Sequence, residues 1–190
     1  MNPENFPLTD VEIFGIQKSI LSGNSRFSHL LVKSFDDSIQ TSCFADNVVI
    51  GSLGILLAKE WNQTSYFRRS FYSFLNKDRR LGHFFATIQE WSEMDILVHI
   101  NCEESVSMFS RSRLLEKIDA IVNNDQIWLQ MISSYCNLPI MDINGNDISE
   151  MTGIPPVPFI SDILFNIFMD DIDQEIENRL AYQRYARYNG

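Results

Sequence analysis

The sequence predicts an α/β (α+β) fold that is rich in helix and has a short sheet. Three observations support this fold class. Apolar residues recur at the 3.6-residue period of a helix in several stretches. Residues 95–102 form a breaker-free run rich in branched apolar side chains, which is typical of a central strand. Asn144-Gly145 separates two short apolar-polar alternations and indicates a hairpin over residues 138–149.

The chain is predicted to divide into an N-terminal helical segment, residues 1–45, and a larger unit, residues 46–190. Within the first segment, a helix is predicted over residues 9–21, where Thr9 is a suitable N-cap. A second, shorter helix is predicted over residues 26–35. With 190 residues and 45% apolar content, the whole chain is long enough to bury a substantial core.

Four helices are predicted in the larger unit. The first covers residues 46–61, although its two glycines weaken it, and its inner side carries Val49, Leu53, Leu56, Leu57 and Trp61. The second covers residues 81–91, and the third covers residues 111–135 with a break near Asn123-Asn124. A proline-containing loop then leads to a helix capped by Ser161 that runs to about Leu180, with an inner face of Leu164, Ile167, Phe168, Ile172, Ile176 and Leu180.

Residues 66–80 gather basic and aromatic side chains into one block. Arginines between aromatic rings can hold phosphates and stack on unpaired bases, so this block is the main candidate for nucleic-acid binding. The alternative is that the rings fill the core while the cations pair with acidic residues elsewhere in the chain. The cations of the block are Arg68, Arg69, Lys77, Arg79 and Arg80.

Charge disfavours a nucleic-acid channel in the acid-only third of the chain, residues 119–177. The formal net charge is −10, and the stretch from residue 119 to residue 177 contains no lysine or arginine. Nucleic acids are normally held by basic residues that displace condensed counterions, so DNA is disfavoured as a partner and RNA is left to the basic-aromatic block. The acids of this stretch are Asp119, Asp125, Asp142, Asp147, Glu150, Asp162, Asp170, Asp171, Asp173, Glu175 and Glu177.

Two acidic patterns resemble metal sites only in part, and neither is predicted to bind a metal ion. Asp142-x-Asn144-x-Asn146 resembles the start of a calcium loop, but Asp147 and Gly153 occupy positions that require Gly and Glu, so a plain hairpin is predicted. The cluster of Asp170, Asp171 and Asp173 is predicted to be a solvated or partner-facing edge. No catalytic set, metal site or cofactor is predicted.

Cysteine usage and targeting signals indicate a reducing compartment. The three cysteines, Cys43, Cys102 and Cys136, lack the spacing of a zinc site or a disulfide framework and are expected to be buried thiols. The longest apolar run, residues 48–58, is too short to span a bilayer, so no transmembrane segment is predicted. The first ten residues carry two acids and no base, unlike a secretory or organellar presequence.

Several segments, in order, resemble the fingers and palm of a reverse transcriptase of the group II intron maturase type. Ser70-Phe-Tyr-Ser-Phe74 resembles the family's S-Y-G-F-R-P segment, and Val98-His-Ile-Asn101-Cys with residues 109–118 resembles its palm strand and following helix. Gly153-Ile-Pro155 and residues 160–173 resemble G-I-P-Q-G and the helix after it. Arg184-Tyr185-Ala186 resembles the start of R-Y-A-D-D. The resemblance covers most of residues 46–187 and implies a truncated fingers-palm remnant.

The resemblance also implies that the polymerase chemistry has been lost. Two divalent ions held by carboxylates carry phosphoryl transfer in such enzymes. Asn101 stands where the palm strand would supply an aspartate, and Arg187 and Tyr188 stand where the family has two adjacent aspartates. Pro156-Val157 replaces Gln-Gly in the nucleotide-facing loop. A cation at position 187 would repel a metal ion, so the chain is expected not to be an enzyme.

These observations lead to one leading functional hypothesis. The chain is predicted to be a non-catalytic reverse-transcriptase or maturase-derived pseudoenzyme. It would act as a structural or accessory subunit of a larger assembly, bound mainly to other protein subunits. The expected location is a chloroplast or a mitochondrion, encoded there because no presequence is visible, with a bacterial cytoplasm as the alternative.

Two other hypotheses remain open at the sequence level. The first is an RNA-binding group II intron splicing factor, or a component associated with a ribosome or another ribonucleoprotein, that uses the basic-aromatic block. It predicts salt-sensitive RNA binding that is lost when the block's arginines become acidic. The second is an active polymerase, which would require metal-dependent primer extension.

Overall fold

The computed structural model describes residues 18, 31–33, 39–41, 44–64, 71–72, 81–91, 96–102, 109–148, 153–155, 157, 159–179 and 184–188. These residues are rich in helix, as predicted, and contain only short strands. The helices are α1 (Phe44–Thr64), α2 (Leu81–Gln89), α3 (Arg111–Ile121), α4 (Gln126–Cys136) and α5 (Ile160–Arg179). The strands are β1 (Leu31–Lys33), β2 (Ile39–Thr41), β3 (Phe71–Tyr72), β4 (Ile140–Met141) and β5 (Arg187–Tyr188).

The core lies between α1, α3, α4 and α5, because these helices bury their apolar faces against one another. Helix α5 packs against α1 and α3, and α3 packs against α4. Gly54 allows the close approach of α1, since a Cβ there would lie 3.0 Å from Cε1 of Phe159. The predicted inner side of α1 is confirmed except at Leu56, which is exposed. The core includes Leu57, Leu114, Ile118, Ile132, Tyr135, Ile154, Ile160, Ile163 and Leu164.

The break predicted near Asn123-Asn124 separates α3 from α4. Both asparagines adopt the left-handed conformation, with φ of 53° and 62°, which asparagine tolerates better than most residues. Asp125 then caps α4 by accepting a hydrogen bond from the backbone N–H of Ile127 at 2.9 Å. Ser110 caps α3 in the same way, because its side chain accepts a hydrogen bond from the backbone N–H of Arg113.

The first sheet has the strand order β2-β1-β4. β1 pairs antiparallel with β2, with Leu31 opposite Thr41, and parallel with β4, with Leu31 opposite Ile140. The helix predicted over residues 26–35 is therefore wrong at residues 31–33, where strand pairing with β4 overrides the local pattern. Most of the other predicted N-terminal helix lies outside the described residues, although Lys18 is helical.

The predicted hairpin is present beyond β4. Met141 bridges Asp147, and the N–H of Ile148 donates to the carbonyl of Ile140 at 2.8 Å. Gly145 has a φ of 83°, which completes a three-residue loop of a kind that needs glycine at that position. Asp142 accepts hydrogen bonds from the backbone N–H groups of Asn144 and Asn146, both at 2.8 Å. The side-chain amide of Asn146 also donates to Asp142 Oδ2 at 2.8 Å, and this bond, followed by the backbone bonds, lowers the pKa of Asp142.

The second sheet has two strands, β3 and β5, which run parallel with Phe71 opposite Arg187. Helix α2 confirms the helix predicted over residues 81–91 and packs against both strands. The strand predicted over residues 95–102 is wrong over its described part, because residues 96–102 lie in neither a strand nor a helix. Branched apolar residues favour a strand only where neighbouring chain is available to pair with them.

None of the helices that the structure describes is long and apolar enough to cross a membrane. Cys102 and Cys136 are free thiols; Cys136 is buried, as expected, whereas Cys102 is only partly buried. Burial raises the pKa of the Cys136 thiol to about 11, so this thiol is held in its neutral form near pH 7. Cys43 lies outside the described residues.

Candidate functional site

Helix α5 carries the site because two polar residues lie on its buried side. The helix begins at Ile160, one residue before the predicted cap, and the hydroxyl of Ser161 donates to the carbonyl of Val157 at 2.7 Å. Asn166 and Asp173 are 0% and 1% exposed. They are seven residues apart, which places them on the same face two turns apart. Ile172, predicted to face inward, is exposed instead.

Arg187 on β5 binds both of these polar residues. Its Nε donates to Asp173 Oδ1 at 2.9 Å, and its Nη2 donates to Asp173 Oδ2 at 2.6 Å. Its Nη1 donates to the side-chain oxygen of Asn166. The Arg187 side chain is 8% exposed and the Asp173 side chain 2%, so the ion pair is buried. A paired guanidinium and carboxylate is the form in which two charges are tolerated in a protein interior.

Tyr185 completes this network by donating its hydroxyl to Asp173 Oδ1 at 2.6 Å. Burial, together with the hydrogen bond and the charge of Asp173, raises the pKa of Tyr185 well above its usual range. The neutral phenol is therefore strongly favoured, because only that form can donate to the carboxylate. Both oxygens of Asp173 are thus engaged by residues 185 and 187 of the C-terminal segment.

A row of aromatic rings supports the network from one side. The guanidinium carbon of Arg187 lies 5.8 Å from the centre of the Phe165 ring. Phe109 stacks on Phe165 at 5.4 Å and on Phe168 at 4.1 Å between ring centres. Lys117 lies over the other end of the row, 5.6 Å from the Phe168 ring centre. Rings placed beside a cation stabilise it where water is excluded.

The acidic residues predicted to form an exposed edge at positions 170–173 differ in their exposure. Asp173 is buried, so the prediction is wrong there, because Arg187 supplies the charge that allows burial. Asp171 is exposed, as predicted, and Lys117 Nζ lies 2.8 Å from its Oδ2. The hydrogen bond from Lys117 lowers the pKa of Asp171. Lys117 also donates to the carbonyl of Phe168 at 2.7 Å, which anchors α3 to α5.

The loop before α5 is packed into the core. Ile154 is 0% exposed and Val157, which replaces the family's glycine in the resemblance, is 5% exposed. The hydroxyl of Tyr135 donates to the carbonyl of Pro155 at 2.8 Å, and Arg111 Nε donates to the carbonyl of Gly153 at 2.8 Å. Burial raises the pKa of Tyr135, which keeps this phenol neutral. The loop is thus fixed from α3 and α4.

The other residues that the sequence analysis named lie away from the Arg187–Asp173 network or outside the residues that the structure describes. Asn101 is exposed in the segment 96–102. Tyr188 is partly buried, with its ring centre 5.7 Å from that of Phe84 on α2. The basic residues Arg68, Arg69, Lys77, Arg79 and Arg80 all lie outside the described residues. RNA binding by the basic-aromatic block therefore stays a prediction.

Sequence reasoning missed Asn166 and Asp173 as partners of Arg187, and it missed Tyr185 as a partner of Asp173. The signal was the seven-residue spacing of Asn166 and Asp173 within the apolar face of α5. The buried Nδ2 of Asn166 is an unsatisfied donor, since it has no hydrogen-bond partner among the described residues. The network can hold the C-terminal segment to α5, and both oxygens of its carboxylate are engaged by Arg187 or Tyr185.

Across the described part of the chain, no group of three or more His, Cys, Asp or Glu side chains is arranged to hold a metal ion. No protein-family model matches this sequence, and a search of curated proteins finds no match.

Proposed function

We propose that this chain is a non-catalytic subunit that binds other proteins within a larger organellar or bacterial assembly, and that it descends from a group II intron reverse transcriptase or maturase. One observation carries the proposal. Arg187, at a position where the resembled family has an aspartate, forms a buried ion pair with Asp173. The resembled family has a metal-binding aspartate at this position, whereas in this chain the arginine forms an ion pair inside the protein that stabilises the fold.

The ion pair supports a structural role through its energetics. A metal ion placed near residue 187 would meet a guanidinium that cannot lose its proton. Moving Arg187 away would leave the carboxylate of Asp173 buried and without its cation, which costs about 3–5 kcal/mol. A marginally stable domain has only about 5–15 kcal/mol in total. The arrangement therefore favours stability over metal binding.

The loop and helix that carry the resemblance support the same role. In the resembled family, the loop of residues 153–157 faces the nucleotide. In this chain Ile154 and Val157 are buried, and Tyr135 and Arg111 fix the loop backbone. Valine at 157 contributes apolar surface to the core, which a glycine could not do. The segment keeps its packing function while the residues needed for substrate contact are replaced.

Charge and surface support protein partners over RNA. The net charge of −10 opposes the approach of phosphates, and Asp171 pairs with the exposed Arg113 and with the partly buried Lys117. Large aliphatic side chains are exposed at Ile96, Leu97, Val98 and Ile100. Contiguous exposed apolar surface marks sites of protein contact. Protein subunits are therefore the favoured partners.

Purification from the native source under non-denaturing conditions tests the proposal. We expect the chain to elute in a complex much larger than 22.0 kDa, with other proteins in fixed stoichiometry after nuclease treatment. Elution as a stable monomer with nothing attached would contradict the proposal. Dissociation by nuclease alone would favour the RNA-binding alternative. Metal-dependent primer extension by the pure chain would favour an enzyme.

A further inference from the structure

Residues 96–102 form an exposed connection near the middle of the 190-residue chain. Ile96, Val98 and Ile100 are 80%, 76% and 74% exposed, and Leu97 is 61% exposed. The segment belongs to no helix or strand. Exposed connections are the usual sites of proteolytic cleavage, because a protease can reach their backbone without first unfolding the protein.

The side chains of this segment select a class of protease. Four of its seven residues are large and aliphatic, and the segment contains no lysine, arginine, proline or glycine. A protease binds its substrate as an extended chain, and a pocket reads the side chain beside the bond that it cuts. A protease whose pocket takes a large aliphatic side chain therefore accepts bonds in this segment, whereas one that requires a cation does not.

The core and both sheets that the structure describes are shared by the parts of the chain before and after this segment. Helix α1 precedes the segment and packs against α3 and α5, which follow it. β1 pairs with β4, and β3 pairs with β5, so each sheet combines strands from the two parts. Helix α2 also packs against β5. A cut in the segment would leave all of these contacts in place.

Burial explains why the two pieces would not separate after such a cut. Leu57 and Trp61 of α1 are 0% and 5% exposed, and Ile163 and Leu164 of α5 are 0% exposed. The two helices pack against each other. Separation would expose these side chains to water, which is unfavourable in proportion to the apolar area uncovered. The pieces would therefore hold together without the covalent connection.

We propose that residues 96–102 are a cleavage site for an endopeptidase that recognises large aliphatic side chains, and that the two pieces remain joined after the cut. One water molecule is consumed. The carbonyl carbon gains the hydroxyl group, the carbon–nitrogen bond breaks, the nitrogen gains the hydrogen, and a proton then passes from the new carboxyl group to the new amine. Such cleavage does not require the subunit role proposed above, since it needs only an accessible segment and a core that both pieces share.

Limited proteolysis of the full chain with thermolysin, which cuts on the N-terminal side of large apolar residues, tests the site. Mass spectrometry over a time course should show the bonds of residues 96–102 cut at least about a hundredfold faster than those beside Ile55 and Leu56. These two residues are also exposed but lie in α1, which must open before a protease can bind it. Equal rates at the two places, or an intact segment, would overturn the proposal.

The cut protein shows whether its pieces stay joined. In size-exclusion chromatography it should elute with the intact chain in native buffer and as two separate pieces in denaturant. Its melting temperature should rise with protein concentration, whereas that of the intact chain should not, because unfolding of a two-piece protein releases two molecules. Separation of the pieces in native buffer would contradict the shared core and overturn the proposal.

A variant without the aliphatic side chains and a matched control complete the test. The combined variant Ile96→Ser, Leu97→Ser, Val98→Ser and Ile100→Ser should slow cleavage of the segment at least about tenfold, since the protease pocket loses its apolar contact. Its melting temperature should stay close to that of the unmodified chain, because the replaced side chains are exposed.

Ile143→Ser is the control, because it changes an exposed isoleucine in the hairpin and should leave cleavage of residues 96–102 unchanged. Equally fast cleavage of the serine variant and the unmodified chain would show that the aliphatic side chains are not what the protease recognises. A strongly lowered melting temperature of the serine variant would show that the segment belongs to the core. Either result would overturn the proposal.

Discussion

Two regions that resemble parts of one reverse-transcriptase palm behave oppositely in this chain. In the C-terminal segment, Arg187 is buried against Asp173 and Asn166, and the partly buried Tyr185 donates its hydroxyl to Asp173. The segment 96–102 leaves its aliphatic side chains outside. The difference shows that side-chain polarity alone does not decide burial here. A charged side chain is buried where a residue of opposite charge pairs with it. Apolar residues stay exposed where no strand of the described chain pairs with their segment.

The largest expected effect comes from breaking the buried ion pair. Arg187→Met should lower the free energy of unfolding by about 3–5 kcal/mol, because Asp173 would remain buried without its cation. Arg179→Met is the matched control, since Arg179 makes an exposed ion pair with Glu175, and it should change stability by less than about 0.5 kcal/mol. Urea denaturation followed by circular dichroism measures both values. If both variants lowered the free energy of unfolding by the same small amount, the ion pair between Arg187 and Asp173 would not stabilise the fold.

A pair of valine substitutions compares the two regions directly. Val157→Thr places a hydroxyl in the core and should destabilise the chain by about 1–3 kcal/mol, whereas Val98→Thr should cost less than about 0.5 kcal/mol. Thermal unfolding of the two variants side by side makes this comparison. If Val98→Thr were the more damaging change, the segment 96–102 would have to be counted as part of the core.

The tyrosine of the network gives a pH-dependent effect. Below about pH 10, the ordinary pKa of tyrosine, the Tyr185 hydroxyl is protonated in both states, and Tyr185→Phe should cost about 1.5 kcal/mol. Because the pKa of Tyr185 is raised in the folded state, its contribution is present below pH 10 and is lost as the pH rises above it. The stability difference between the two proteins should therefore narrow from pH 9 to 11, by denaturant titration at each pH. A constant difference would contradict the hydrogen bond to Asp173.

The smallest expected effect concerns the two glycines of α1. A methyl group at Gly51 meets no atom within 4 Å, so Gly51→Ala should stabilise the chain by about 0.5–1 kcal/mol through helix propensity. Gly54→Ala should gain less or lose stability, because its Cβ would press on Phe159 at 3.0 Å. The melting temperatures of Gly51→Ala and Gly54→Ala, each compared with that of the unmodified chain, measure this difference. Equal gains would show that α1 does not need a glycine against α5.

Much of the helical framework followed from the sequence. Helices α1, α2 and α5 were predicted from apolar periodicity, and the break between α3 and α4 was predicted at Asn123-Asn124. The hairpin followed from Asn144-Gly145, where glycine meets a backbone demand that is local to the turn. These features depend on neighbours in sequence, which is why a single sequence predicts them.

The remaining features depend on contacts between distant residues. Residues 31–33 form a strand because β4, more than a hundred residues later, pairs with them. Asp173 is buried because Arg187 reaches it, and the periodicity of α5 carries no information about that cation. Residues 95–102 read as a strand from their composition, but composition does not supply a pairing partner. The descent from a reverse transcriptase and the role of the basic-aromatic block remain predictions.

In the proposed function, position 187 serves packing in place of metal chemistry, and placing the aspartates of the resembled family at positions 187 and 188 tests this most directly. The combined variant Arg187→Asp and Tyr188→Asp would put a second carboxylate, at position 187, against Asp173 and would remove the buried cation. We expect a chain with a strongly lowered melting temperature, neither restored to the wild-type value by Mg²⁺ or Mn²⁺ nor able to extend a primer. A variant that folds like the wild type with Mg²⁺ and incorporates nucleotides would contradict the account.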